Sequence, residues 1–160
     1  MKKLNLTEYA QLAEIIAAIA VVISLIYVGV QLKANTDAVR SVSIQEITNT
    51  SVGVLGGQVA DPEISRIRRL GNEDLSSLTA DEVYRYHILQ RQIWLTFHNV
   101  YLQRNLQVIG SELWSTYERI ICREMLSPGV VETWSHHSHV LDPGFVIIVE
   151  ACPRFKELAQ

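Results

Sequence analysis

Over the first part of the chain the hydrophobic positions follow no period; they run together. Ile15 to Val30 reads IIAAIAVVISLIYVGV, interrupted only by Ser24 and free of charge. A bilayer needs roughly 20 largely apolar residues for a helical span, whereas 10–14 suit a buried core helix. Leu12, Ala13 and Leu32 carry the run out to the spanning length. The ten Ile, Val and Leu residues in it each favour insertion by about 0.3–0.6 kcal/mol, roughly 3–6 kcal/mol together. Glu14 and Gln31 stand at the ends, where a polar head reaches the interface. The span is therefore marked by Ile15, Ile19, Val22, Ile26 and Val30, and residues 1–34 are predicted to be a membrane anchor helix. The competing expectation is a core helix of a soluble protein. Glu8 and Glu14 do not suit a basic leader and no small-x-small site follows the run, so an uncleaved anchor is expected.

Behind the anchor the pattern changes to amphipathic helices with recurrent start signals. Thr79-Ala-Asp-Glu82 is a capping box, in which a hydroxyl and a carboxylate satisfy each other's free backbone amides. Asp61-Pro62, Ser127-Pro128 and Asp142-Pro143 place a capping residue before a proline that has no amide to leave unbonded, and Ser111 is a weaker cap. No segment alternates strictly with hairpin turn chemistry. Helices are predicted near 7–33, 36–58, 62–70, 80–107, 112–126, 128–139 and 143–158. Lys33 to Asn35 either break the anchor helix or let it run on. Gly56-Gly57 and Gly71 to Leu78 read as loops, and Gly110 as the end of the long helix. Pro153 limits or kinks the last helix. The fold class expected is all-α: a single transmembrane helix, then a small helical bundle over 35–160.

The helix over 80–107 carries the most unusual pattern. At 100° per residue, Val83, Tyr86, Ile93, Phe97 and Val100 form one apolar flank, and Ile88, Leu95, Leu102 and Leu106 a second. Between them run His87, Arg91, Trp94, His98, Tyr101 and Asn105; Arg85, Gln92, Thr96, Asn99 and Gln103 lie opposite. With both flanks packed, His87, Arg91 and His98 point into the bundle and need partners there, because an unpaired buried charge is costly. Glu112, Glu118, Glu124 and Glu132 are the candidates. His87, Arg91, Trp94, His98 and Tyr101 are thus a candidate ligand or subunit-contact site, with Arg91 holding an anion and the histidines titrating near neutral pH. The plainer expectation is a buried polar network that sets the register of the helices.

Composition narrows the function classes. The 160 residues carry a net charge of −3 with no basic block, which argues against nucleic-acid binding. There is no Gly-rich phosphate loop, CxxC pair, HExxH or internal repeat. Trp134-Ser-His136-His137-Ser-His139 suggests a metal site with Glu132 beside it. However, His136 and His137 point about 100° apart on a helix and His139 on a third bearing. Only Glu132 with His136 has i,i+4 spacing, so neither a metal nor a cofactor is expected. Cys122 sits in the apolar pattern of IICRE and reads as core. Cys122 and Cys152 either pair in an oxidising compartment or stay as two buried thiols.

Read in order, AEIIAAIAVVISLIYVGVQLKANTDAVR, DPEISRIRRLGNED, LTADEVYRYHILQ, FHNVYLQRNLQVIGSELW and REMLSPGVVETWSHHSHVLDPGF resemble a group of uncharacterised bacterial proteins over nearly the whole chain. The resemblance implies a single-pass inner-membrane protein with an all-helical domain of no assigned function, and no catalytic residues. It also implies a cytoplasmic domain, although Lys2 and Lys3 depart from the group and nearly balance Lys33 and Arg40 across the span. The expected function is non-enzymatic: an accessory subunit or adaptor that meets the lipid bilayer and other membrane subunits or itself. An anion sensor built on the His/Arg stripe stands second and a metal-dependent enzyme last. Ala17, Ala18, Ala20 and Ser24 would let anchors approach closely, without a GxxxG motif.

Overall fold

The computed structural model of the protein describes residues 6–153 and 155. Every regular element among them is helical, in the order α1 (Leu6–Ala60), α2 (Pro62–Glu73), a short 3-10 turn (Leu75–Ser77), α3 (Ala80–Asn105), α4 (Ser111–Glu124), α5 (Pro128–Thr133), α6 (Ser135–Ser138) and α7 (Pro143–Glu150). The fold is all-α, as the pattern predicts. The chain forms two compact units that part between Ser41 and Val42.

The first unit is the leading part of α1. Its apolar residues are bare: Ile15, Ile19, Val22, Ile26 and Val30 are 54–63% exposed. This is a helix long and apolar enough to cross a membrane, and none of its apolar window is buried within the protein. Two polar side chains in or beside the apolar run bond locally. The Ser24 hydroxyl donates to the Ala20 carbonyl at 2.8 Å, and Gln31 donates to the Tyr27 hydroxyl at 2.6 Å. Such local bonding is what hydrocarbon demands, since water is not available there to serve a stray donor. Lys33 to Asn35 do not interrupt the helix.

In the second unit α1 continues through Gly56 and Gly57, which sequence reading assigns to a loop. A Cβ at either would meet nothing within 4 Å, and both stay helical because the stop comes later, at Asp61. That residue is extended (φ −109°, ψ 111°), as the residue before a proline prefers. Its carboxylate caps α2, accepting from the Glu63 amide at 2.8 Å. Thr79 and Glu82 form the predicted capping box of α3.

The long helix ends differently from expectation. Gln107 takes the left-handed conformation at φ 58°, its amide bonded to Arg104 and that of Val108 to Gln103. That is a Schellman closure made without glycine; Gly110 instead precedes α4 as its N-cap, at φ −79°. The predicted helix over 128–139 divides at Trp134, where the backbone bonds tighten to i,i+3 (Trp134 to Val131, His137 to Trp134). The last helix closes at Glu150, ahead of Pro153; of its predicted extent, 154 and 156–158 lie outside the described residues.

The main core gathers around one side of α3. Ile93, Trp94, Phe97, Val100 and Tyr101 meet Ile47 of α1, Trp114 and Ile121 of α4, Trp134, and Phe145 and Val149 of α7. A smaller cluster joins Ile67, Leu78 and Tyr86. Cys122 and Cys152 are disulfide-bonded, with Cα atoms 5.3 Å apart, tying α4 to the segment after α7.

Candidate functional site

Four of the five candidate residues on α3 fall into three environments, and Arg91 stands apart. At the C-terminal end, Tyr101 and His98 hold the start of α7. The Tyr101 hydroxyl donates to Asp142 Oδ1 at 3.1 Å, and the same oxygen accepts from the Gly144 amide at 2.8 Å. The Asp142 amide donates to His98 Nε2 at 3.2 Å. The His98 ring lies nearly parallel to Tyr101 and 5.5 Å from Phe145. Nε2 can accept only when that nitrogen is unprotonated. Burial lowers the pKa of His98, with the Asp142 charge opposing it, and hydrogen bonds from Gly144 and Tyr101 hold the Asp142 carboxylate below the usual range. This is a docking clamp for a helix terminus.

In the middle, Trp94 is 1% exposed. Its ring meets Trp134 edge-on at 4.7 Å and Phe97 at 5.8 Å. Trp134 keeps its polar end satisfied by donating to Glu150 at 3.0 Å. Trp94 is a core anchor.

At the N-terminal end, His87 faces two of the C-terminal histidines, with ring centroids 5.0 Å from His136 and 5.6 Å from His137. His137 is 2% exposed, and neither of its ring nitrogens has a hydrogen-bond partner. Burial, then the neighbouring His87 and Arg91, lower its pKa to about 4. Burial likewise lowers His87, with His136 and Arg91 adding to it. Val130, Thr133, Trp134 and His137 are all buried and follow the i, i+3, i+4, i+7 spacing of one packed face, which carries His137 inward. Among the described residues no group of three or more His, Cys, Asp or Glu is placed to hold a metal ion.

Arg91 departs from its expected place. It is exposed, and no carboxylate among the described residues lies within ion-pair distance of it. The reason is that the second apolar flank of α3 is not packed. Ile88, Leu95 and Leu102 remain 50, 49 and 40% exposed and Leu106 74%. The helix buries one flank and the aromatic part of the middle stripe, leaving the rest outside. Glu124, a candidate partner for the stripe, instead bonds Arg68 of α2 at 3.0 Å.

That ion pair borders a cavity of about 190 Å³ on the other side of α3, lined by Ser51, Val54, Arg68, Ile93, Phe97 and Tyr117 among others. None of His87, Arg91, Trp94, His98 and Tyr101 lines it. Arg68 also donates to Gln58, a glutamine 4% exposed, and Ser51 and Tyr117 share a hydroxyl contact at 3.3 Å. The signal for Arg68 was present in the sequence. Ile64, Ile67, Arg68 and Gly71 follow the i, i+3, i+4, i+7 pattern of a packed face, so a cation was due on the inner side of α2.

No family model, curated protein or solved structure matches the chain.

Proposed function

We propose that the protein is a membrane-anchored helical interaction module: an accessory subunit or adaptor of a membrane assembly, or a homo-oligomer, with no catalysis of its own. The observation that carries this reading is the amount of ordered apolar surface without an occupant. Residues 15–30 of α1 suit the acyl chains, and a second apolar face runs along α3. Exposed apolar patches of this kind mark interaction surfaces. Membership in the uncharacterised bacterial group, and placement in the inner membrane, belong to the same proposal.

Within it, the helical domain faces an oxidising compartment. A structural disulfide such as Cys122–Cys152 persists there and is rare in the cytoplasm. The cytoplasmic orientation implied by the resemblance would leave the two cysteines as thiols.

The anion-sensor reading has less to rest on, since Arg91 is exposed and the cavity beside Arg68 is lined by none of the stripe residues. The test is native mass spectrometry of the full chain extracted gently from its own membranes. A stoichiometric complex, with another polypeptide or with further copies, supports the proposal; a bare monomer counts against it.

A further inference from the structure

The exposed face of α3 is built symmetrically. Tyr84, Ile88, Leu95, Leu102 and Leu106 are 66, 50, 49, 40 and 74% exposed. Their spacing is 4, 7, 7 and 4 residues, the same read in either direction about Leu95. At 100° per residue all five fall within about 20° of the bearing of Leu95, so the stripe runs straight along the helix.

We infer that this stripe is the contact for a second copy of the chain, with the two α3 helices antiparallel about a two-fold axis at Leu95. The inference rests on the interaction-module reading and names its partner. An isologous contact requires that the patch complement itself under two-fold rotation, and a palindromic spacing is the one-dimensional form of that requirement. Leu95 then meets the partner's Leu95, Ile88 meets the partner's Leu102, and Tyr84 meets the partner's Leu106.

The flanking charges are compatible with this direction. Antiparallel pairing about that axis brings like flanks together, setting Arg91 beside the partner's His98 and Arg85 beside the partner's Gln103, so no two arginines meet. Arg85 is already neutralised on its own helix and on α2, by Asp81 at 2.9 Å and Glu63 at 3.1 Å.

The area is sufficient. At these exposures the five side chains offer roughly 500–600 Å² per copy, about 1,100 Å² for the pair when all of it is covered, just above the roughly 1,000 Å² a specific contact has to clear. Asn99 and Gln92 beside the stripe supply a polar rim of the kind such interfaces carry.

Cysteine cross-linking in the full chain, in its native membrane and under mild oxidation, tests this directly. Cys122 and Cys152 are bonded to each other and leave the background clear. Leu95→Cys should cross-link to itself at least tenfold more than Ile147→Cys, an exposed control on α7. Ile88→Cys and Leu102→Cys alone should not, because equivalent positions would lie about 21 Å apart along the antiparallel helices. Co-expressed, those two variants should give the mixed dimer. Leu95→Asp, at a half-exposed position, should keep the helical signal and melting temperature while losing the dimer mass.

Self-cross-linking of Ile88→Cys equal to that of Leu95→Cys would overturn the antiparallel pairing. No cross-link at Leu95 above the control would overturn the second copy. If native mass spectrometry then shows a complex with a different polypeptide, the interaction-module reading stands without this inference; a bare monomer sinks both.

Discussion

Gly129 of α5 stands directly against Gly71 of α2: a Cβ on Gly129 would lie 1.8 Å from the Gly71 carbonyl oxygen. Gly71 in turn faces the Tyr86 ring, whose nearest carbon would be 2.5 Å from an added Cβ. Two backbones and an aromatic ring meet here with no room for a side chain, and a carbonyl cannot rotate aside as a flexible side chain would.

Gly129→Ala should therefore lose about 3 kcal/mol or more of stability, the scale of overpacking a site that cannot yield. Gly53→Ala is the matched control, since a Cβ there meets nothing within 4 Å. It should be neutral or stabilising by about 0.5–1 kcal/mol through helix propensity. Urea unfolding of both variants checks the pair, and equal midpoints would refute the close-contact account.

Glycine also shows where sequence reading reached its limit. Gly71 reads as a loop breaker, yet it lies within α2 because its role is close approach, which is a property of the partner elements. Gln107 shows the converse: the left-handed closure of α3 falls on a residue with no such preference. By contrast, Thr79-Glu82, Asp61 and Asp142 were legible, because capping is chemistry completed within a few neighbouring residues. The apolar run 15–30 was legible for the same reason. The candidate stripe on α3 was legible as an angular pattern but not as an environment. Which of its two apolar flanks would be covered depended on how many helices pack around it, and one flank stayed bare, taking Arg91 with it. Arg68 and Glu124, 56 positions apart, meet only through tertiary packing.

The clamp between α3 and α7 should behave as one unit. Tyr101→Phe removes the hydroxyl bonded to Asp142 and should cost about 1 kcal/mol. Asp142→Ala removes that acceptor and the cap of α7 together, for about 1–2 kcal/mol. Because the same Oδ1 serves Tyr101 and Gly144, the double variant should cost less than the sum of the singles. Full additivity in chemical denaturation would mean the two groups act separately.

Acid should loosen the domain through its histidines. The folded state keeps His137 neutral down to about pH 4, whereas an unfolded chain protonates histidine near pH 6.5. The folded state thus binds fewer protons, so the stability from this group is fully present above about pH 6.5 and is lost as pH falls from there through 4. His87 and His98, also lowered, shift in the same direction. His137→Phe should flatten the fall in melting temperature between pH 6.5 and 4.5 and leave a smaller slope from the other two. It should not destabilise at pH 7.5, since the ring nitrogens it removes make no hydrogen bonds. A wild-type slope in the variant would remove His137 from the account.

The disulfide links folding to compartment, and the two can be read in one experiment. Cys122 and Cys152 enclose a segment with a sequence separation of 30, and a cross-link over that length stabilises by roughly 3–4 kcal/mol on the chain-entropy model. Cys122→Ser with Cys152→Ser should lower the melting temperature of the domain by about 10 °C or more, by the usual scaling for domains near this size. In cells, wild-type chains quenched in acid, denatured and treated with a large maleimide should shift on a gel only after reduction, if the domain lies on the oxidising side. Labelling without reductant would place two thiols in a reducing compartment. It would then remove both the expected stabilisation and the orientation argued from it, because the bond and the compartment stand or fall together.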